Sequence, residues 1–164
     1  MKICLVGSSG GHLTHLYMLK PFWQDKERFW VTFNKEDARS LLQGETLIPC
    51  YYPTNRSLKA LAINSLLAWK TIRRERPDLI VSTGAAVAVP FFYIGKLFGA
   101  KTVYIEVFDR IDKPTMTGKL VYPITDTFVV PFSIKLCAEN RCTGNCTKNT
   151  NIKYHHQLIH DGYT

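Results

Sequence analysis

Near the start of the chain stands Val6-Gly7-Ser8-Ser9-Gly10-Gly11-His12-Leu13, preceded by the apolar run Ile3, Cys4, Leu5 and Val6 and followed by residues at helical spacing. These residue types describe a strand, a glycine-rich turn and a helix N-terminus. Small residues at such a turn let a ligand approach the backbone. The N–H groups of the first helical turn, at the positive end of the helix dipole, favour a phosphate or similar oxyanion. Ser9, Gly10 and Gly11 are therefore candidate oxyanion-binding residues, with His12 beside the anion. The run lacks the Gly-Lys-Ser/Thr ending of a P-loop and the spaced Gly-x-Gly-x-x-Gly of a dinucleotide site. The simpler alternative is a tight strand-to-helix turn with Ser8 or Ser9 as the helix cap.

Two other stretches could share this chemistry. Ser82-Thr83-Gly84 follows the apolar run Leu79-Ile80-Val81 and reads either as a second anion-binding turn or as a plain helix cap. Glu106 ends an apolar strand, a place where a carboxylate serves function more often than packing. It could accept a proton or hold a sugar hydroxyl. Asp109 and Arg110 follow in the same loop, with Arg110 a candidate binding residue at the ligand edge and, in the alternative reading, the partner of Glu106 in an internal ion pair.

The elements that must position these groups alternate along the chain. The pattern predicts a helix over 13–22 with Pro21 near its end, a strand over 29–33, a short helix over 35–42 stopped by Gly44, and an edge-like strand over 46–52 limited by Pro49 and Pro53. The clearest helix comes next. Leu58, Leu61, Ala62, Ser65, Leu66, Trp69 and Ile72 follow helical spacing, with Lys59, Lys70, Arg73 and Arg74 opposite, so this apolar stripe is expected against a sheet. A second unit has a strand at 79–81, a turn at 82–84 and a helix over 85–98, followed by a strand over 102–107 and another over 126–130. Repeated strand-turn-helix units call for right-handed crossovers and a parallel α/β sheet with its ligand loops at the strand C-termini. The three chemistry-bearing loops can converge on that edge.

A chain of 164 residues with 46% hydrophobic and 21% charged residues can bury one good core. The formal net charge of +8 points to an anionic partner or surface. Its Lys and Arg residues are scattered among acids, which favours phosphate or anionic lipid over nucleic acid. The chain opens directly on a strand, without a basic leader and cleavage site, so a cytoplasmic location is expected. No apolar run reaches the roughly 18 residues of a spanning helix. The segment 85–98 carries Val87, Val89, Phe91, Phe92, Ile94, Leu97 and Phe98, more than one narrow stripe can use. That surplus calls for a partner, a lipid or a membrane surface, unless the protein's own core absorbs it.

After residue 130 the texture changes. Residues 131–164 have little periodicity and are rich in Asn and Thr, an irregular tail whose composition resembles disorder or translation in a shifted frame. Cys137, Cys142 and Cys146 precede His155, His156 and His160, but their spacing fits a zinc site poorly and no metal is expected. Cys4 and Cys50 lie in strands and read as small buried hydrophobes.

Taken in order, several segments resemble the asparagine-linked glycosylation protein fourteen family. They are Gly7-Ser8-Ser9-Gly10-Gly11-His12, Val81-Ser82-Thr83-Gly84-Ala85, Tyr104-Ile105-Glu106-Val107-Phe108-Asp109-Arg110, Pro114-Thr115-Met116-Thr117-Gly118-Lys119-Leu120-Val121-Tyr122-Pro123 and Asp126-Thr127-Phe128-Val129-Val130. The resemblance covers residues 1–130 and implies a Rossmann-like half of a split GT-B glycosyltransferase. In that arrangement this half faces a polyprenyl-diphosphate-linked sugar acceptor at the membrane, and a separate small subunit binds the UDP-sugar donor. Bacterial members serve capsule and exopolysaccharide synthesis. The resemblance further implies that Ser9 to His12 and Ser82 to Gly84 cradle the acceptor diphosphate and that Glu106 lies near the transferred sugar, with no cofactor needed. Eukaryotic members begin with a membrane-spanning helix absent here, so peripheral attachment to the cytoplasmic face of the plasma membrane is expected. A non-catalytic recruiter of the catalytic partner is the alternative reading.

Overall fold

Ile3, Cys4, Leu5 and Val6 are all fully buried, which a strand achieves only when both faces of its sheet are covered. The computed structural model describes residues 1–53, 57–106 and 115–129. In chain order the elements are β1 (Lys2–Val6), α1 (Gly11–Met18), α2 (Lys20–Trp23), β2 (Glu27–Phe33), α3 (Glu36–Leu41), β3 (Leu47–Cys50), α4 (Leu58–Glu75), β4 (Leu79–Ser82), α5 (Ala88–Leu97), β5 (Lys101–Ile105), α6 (Met116–Val121), a 3-10 turn (Tyr122–Ile124) and β6 (Thr127–Val129). The six strands form one sheet in the order β3-β2-β1-β4-β5-β6, with every neighbouring pair parallel. Chain order reverses between β1 and β4, and the crevice at such a switch point is where parallel α/β sheets bind ligands.

Alternation along each strand divides the core in two. Cys4, Val6, Val31 and Ile80 face α4, α5 and α6, where they meet Ala68, Ile72, Phe91, Phe92 and Val121. Ile3, Leu5, Trp30 and Val81 face α1, α2 and α3 and meet Leu13, Leu16, Trp23 and Ala38. On that second face, Glu45, just before β3, is fastened to β2. Its carboxylate accepts Arg28 Nε–H at 2.8 Å, Arg28 Nη2–H at 2.6 Å and Trp30 Nε1–H at 3.1 Å, while the guanidinium lies 4.6 Å from the Trp23 ring centroid. The Arg28 hydrogen bond is the main cause holding the Glu45 carboxyl below its ordinary pKa.

Several expectations change. The helix expected over 13–22 is two helices that meet at Leu19, with Pro21 in the first turn of α2, where its missing N–H costs no helical bond. The helix expected over 85–98 begins at Ala88. A six-residue helix, α6, occupies the segment around Gly118, which carried no helical expectation. Pro49 lies in β3, an edge strand, as its lack of a backbone N–H requires.

The largest correction concerns α4. Its buried positions are Ala60, Asn64, Ala68, Thr71 and Ile72, whereas Leu58 is 83%, Leu66 57% and Trp69 43% exposed. The physical reason is close approach. Small Ala and Thr side chains let α4 settle against its neighbours, and Asn64 is buried because it serves the backbone of Tyr51, accepting its N–H at 2.9 Å and donating to its carbonyl at 3.2 Å. The apolar surplus of α5 is mostly absorbed by the core through Val87, Phe91 and Phe92, while Tyr93, Leu97 and Phe98 stay exposed. The rings of Trp69 and Phe98 pack edge to face with centroids 5.2 Å apart, so the outer flank of α4 and the end of α5 form one apolar surface. Among the described residues no helix is long and apolar enough to cross a membrane.

Candidate functional site

The glycine-rich turn leaves β1 and enters α1 through Gly10, whose φ of 82° suits glycine. No side chain caps α1, so neither Ser8 nor Ser9 acts as the helix cap. Gly11 opens the helix, and the first helical bond runs from the Thr14 N–H to the Gly10 carbonyl at 3.0 Å. The amides of Gly11, His12 and Leu13 therefore precede the helical ladder, at the positive end of the dipole. The Gly10 N–H is taken up by Asp37 Oδ2 at 2.8 Å, a partner that the sequence reading did not include.

His12 and the second turn hold each other across the β1–β4 crevice. The His12 ring has Nδ1 2.9 Å from the Thr83 carbonyl oxygen, and the Thr83 hydroxyl donates to the His12 carbonyl at 2.8 Å. A carbonyl can only accept, so Nδ1 carries the proton in this contact. A Cβ at Gly84 would lie 2.6 Å from His12 Cε1, so residue 84 must lack a side chain for the imidazole to lie there. The Ser82 hydroxyl closes its own turn, accepting the Gly84 N–H at 3.0 Å and donating to the Gly84 carbonyl at 3.2 Å. Ser82 and Thr83 are both buried, so their side chains build the turn and what it can offer a ligand is backbone. It is not a plain helix cap either, because α5 starts later, behind Val87. Ala85 holds a φ of 78°, a left-handed conformation uncommon without glycine and enriched at functional sites.

Glu106 follows β5, next to β4, and is 1% exposed. Its Oε2 accepts the Thr115 N–H at 3.3 Å and the Thr115 hydroxyl at 3.2 Å. The Thr115 oxygen also caps α6 by accepting the Gly118 N–H at 3.0 Å and lies 2.9 Å from the Tyr104 hydroxyl. With the Thr115 proton directed at the carboxylate, Tyr104 is the donor in that last pair. Burial, above all, pushes the Tyr104 phenol well above its ordinary pKa and keeps it a donor. A Cβ at Gly118 would stand 2.6 Å from Glu106 Oε2, so α6 approaches the carboxylate closely only because residue 118 is glycine. The signal for this contact in the sequence is Thr115, an N-cap residue type just after Pro114.

The structure thus brings together the first two loops at His12 and Thr83, and sets Glu106 on the adjacent strand. Asp109 and Arg110 lie outside the described residues, as do Cys137, Cys142, Cys146, His155, His156 and His160. Among the described residues no group of three or more His, Cys, Asp or Glu side chains could hold a metal ion.

Comparison with known proteins places the chain in a family and matches its fold. The family model described as "Oligosaccharide biosynthesis protein Alg14 like" matches residues 3–141, running past 130 into the segment of altered composition. The UDP-N-acetylglucosamine transferase subunit ALG14 of Debaryomyces hansenii is 29% identical over 133 residues, which are 75% of this chain and 54% of that protein. Its counterpart from Homo sapiens is 30% identical over 70 residues, 39% of this chain and 32% of that protein. The chain spans about half the length of the first relative and about a third of the second. Among solved structures, MurG of Acinetobacter baumannii superposes with a TM-score of 0.67 at 14% identity, over 80% of this chain and 41% of that one. UDP-N-acetylglucosamine 2-epimerase from Rickettsia bellii superposes with a TM-score of 0.65 at 12% identity, over 81% of this chain and 39% of that one. At these identities the likeness is one of fold, a Rossmann-like parallel sheet with flanking helices. The family match takes in the Gly10-Gly11-His12 turn, the Ser82-Thr83-Gly84 turn and Glu106, and on it this chain belongs to the Alg14-like family of oligosaccharide biosynthesis proteins.

Proposed function

We propose that this chain is the acceptor-side subunit of a two-component glycosyltransferase, passing a sugar from a UDP-sugar to a polyprenyl-diphosphate-linked saccharide in bacterial capsule or exopolysaccharide synthesis. A separate small subunit would bind the UDP-sugar. The observation that carries the reading is the lock between His12 and Thr83, which sets an imidazole beside a helix N-terminus at the switch point of a parallel sheet. There the diphosphate would meet the first turn of α1 and the backbone of the 82–84 turn, with Arg110 as a further contact. The His12 ring would lie against the acceptor, and Glu106 would lie toward the attacking hydroxyl. In the transfer, that hydroxyl oxygen bonds the anomeric carbon, UDP leaves with the bonding pair, and the hydroxyl proton passes to a base.

The exposed flank of α4 supports peripheral attachment to a membrane surface, which in this reading is the cytoplasmic face. Leu58, Leu61, Leu66 and Trp69 line one side of the helix beside Phe98, and the exposed bases Lys59, Lys70, Arg73 and Arg74 border it. Apolar residues edged by cations suit an anionic lipid surface. The test is reconstitution: the chain alone is expected to give no transfer from UDP-sugars to a lipid acceptor and to gain it when the donor-binding subunit is added. Robust transfer by the chain alone refutes the division of labour.

A second reading, a recruiter that holds the catalytic partner at the membrane without supplying reacting groups, draws on Glu106. Its carboxylate is buried and engaged by the start of α6, as a positioning residue would be.

A further inference from the structure

A cleft of about 420 Å³ opens beside the glycine-rich turn, on the side away from Thr83, between α1 and α3. Leu13, Tyr17 and Leu41 give it apolar walls, and Thr14, Asp37 and Ser40 give it a polar rim. Thr14, Asp37 and Ser40 are exposed to solvent, so the rim groups are open to a ligand. That mixture of an apolar wall and a few convergent hydrogen-bonding groups is the usual makeup of a small-molecule site.

The sign of the charge decides what can bind there. The Asp37 carboxylate accepts the Gly10 N–H, so the amide that a glycine-rich turn would offer an oxyanion on this side already faces a negative charge. Glu36 stands beside Asp37 in the first turn of α3. A diphosphate in the cleft would meet like charge at short range. A neutral polyol would not, because a carboxylate oxygen accepts hydrogen bonds from sugar hydroxyls and such charge-assisted bonds are strong. The Thr14 hydroxyl donates to the Gly10 carbonyl at 3.2 Å, which directs its lone pairs to accept from a ligand. Ser40 supplies a rotatable donor and acceptor.

We infer that the cleft between α1 and α3 is a saccharide subsite, in which Asp37, Thr14 and Ser40 hydrogen-bond the hydroxyls of a neutral sugar ring. This rests on the acceptor-side reading and deepens it by adding, beside the diphosphate site, a subsite for a sugar ring other than the one whose attacking hydroxyl lies toward Glu106. Asp37 is then a specificity-determining residue, which draws hydroxyls to one side of Gly10 and keeps phosphate to the other.

The test is a set of NMR titrations of the full chain, following the backbone amides of Gly11, His12, Asp37 and Ser40. The probes are free N-acetylglucosamine, inorganic pyrophosphate and uridine, each added separately. N-acetylglucosamine is expected to move the Asp37 and Ser40 signals, and Asp37→Asn to weaken its binding about tenfold, the scale of one hydrogen bond to a charged group. Asn keeps an oxygen for the Gly10 N–H, so a merely structural Asp37 would leave sugar binding unchanged. Ser40→Ala, on the outer rim, is expected to weaken the same binding without touching the turn. Pyrophosphate is expected to move Gly11 and His12 and to bind Asp37→Asn at least as tightly as the parent. N-acetylglucosamine that leaves Asp37 and Ser40 unmoved, or binds both variants as it binds the parent, overturns the subsite. Uridine that binds the cleft more tightly than the sugar overturns it in favour of a nucleotide ribose. Pyrophosphate that fails to move Gly11 and His12 removes the acceptor-side reading instead, and the sugar result still decides the cleft.

Discussion

His12 and Thr83 exchange hydrogen bonds in both directions, ring nitrogen to carbonyl at 2.9 Å and hydroxyl to carbonyl at 2.8 Å. Seventy-one positions apart in the chain, they fasten the turn after β1 to the turn after β4. The orientation of the imidazole is thereby fixed before any ligand arrives, which reduces the ordering cost of binding.

Separating the two halves of that lock separates stability from binding. Thr83→Val removes only the hydroxyl donor from a buried position and is expected to lower stability by about 1–2 kcal/mol, the scale of one lost buried hydrogen bond. His12→Ala removes the imidazole and is expected to raise the apparent KM for the lipid acceptor more than it lowers kcat in the reconstituted pair. Urea denaturation reads the first and steady-state kinetics the second. A His12→Ala enzyme with unchanged KM takes the imidazole out of the acceptor site.

For Glu106, charge and packing can be tested apart. Glu106→Gln keeps size and is expected to lower turnover by about 10²-fold or more if the carboxylate meets the reacting hydroxyl. Full transfer by an assembled Glu106→Gln pair favours the recruiter reading. Gly118→Ala places a methyl group against Glu106 Oε2 and is expected to destabilise the fold by about 1–3 kcal/mol, as overpacking does, measured by thermal or urea melts.

On the α4 flank, Leu66→Glu and Trp69→Glu change exposed positions and are expected to alter stability by only about 0.5 kcal/mol. Flotation with anionic vesicles should fall several-fold for each. Binding of the parent chain should weaken as salt rises, because the Debye length shrinks from about 10 Å at 0.1 M to about 3 Å at 1 M. Flotation indifferent to lipid charge, salt and both substitutions would falsify a membrane role for this face.

Glu45 gives the fold a pH dependence of known sign. Its carboxyl pKa is held below the ordinary 4.5 in the folded state, chiefly by the Arg28 hydrogen bond. The stabilisation is therefore complete above the unfolded value and is lost as pH falls through the lower folded value. Glu45→Gln is expected to cost about 1–3 kcal/mol at pH 7, with the gap to the parent closing below pH 4.5. Paired urea titrations at neutral and acid pH measure it.

Local patterns made much of this fold legible. The apolar run at Ile3 to Val6, the glycines after it and the repeat of that texture at Leu79 to Gly84 are each contained in a few residues, and they are enough for a parallel sheet with adjacent loops. The missed features depend on distance. Helical spacing points to one apolar stripe on α4, through Leu58, Leu61, Leu66 and Trp69, whereas the arc that packs runs through the smaller Ala60 and Ala68, whose size no periodicity weighs. The bond from the Gly10 N–H to Asp37 joins residues 27 positions apart, and no spacing rule connects them. The six residues of α6 are too few to show a period, and the contact at its start, from Thr115 to the Glu106 carboxylate after β5, joins separate elements.

Pro49 has one more effect, on how the protein behaves at high concentration. The Thr46 carbonyl accepts the Trp30 N–H at 2.8 Å, so it faces β2, and alternation along the strand turns the nitrogen of residue 49 outward. A strand from another molecule approaching β3 would find a ring there where the ladder needs a donor. That end of the sheet is blunted against edge-to-edge polymerisation, the route by which exposed strands seed aggregates.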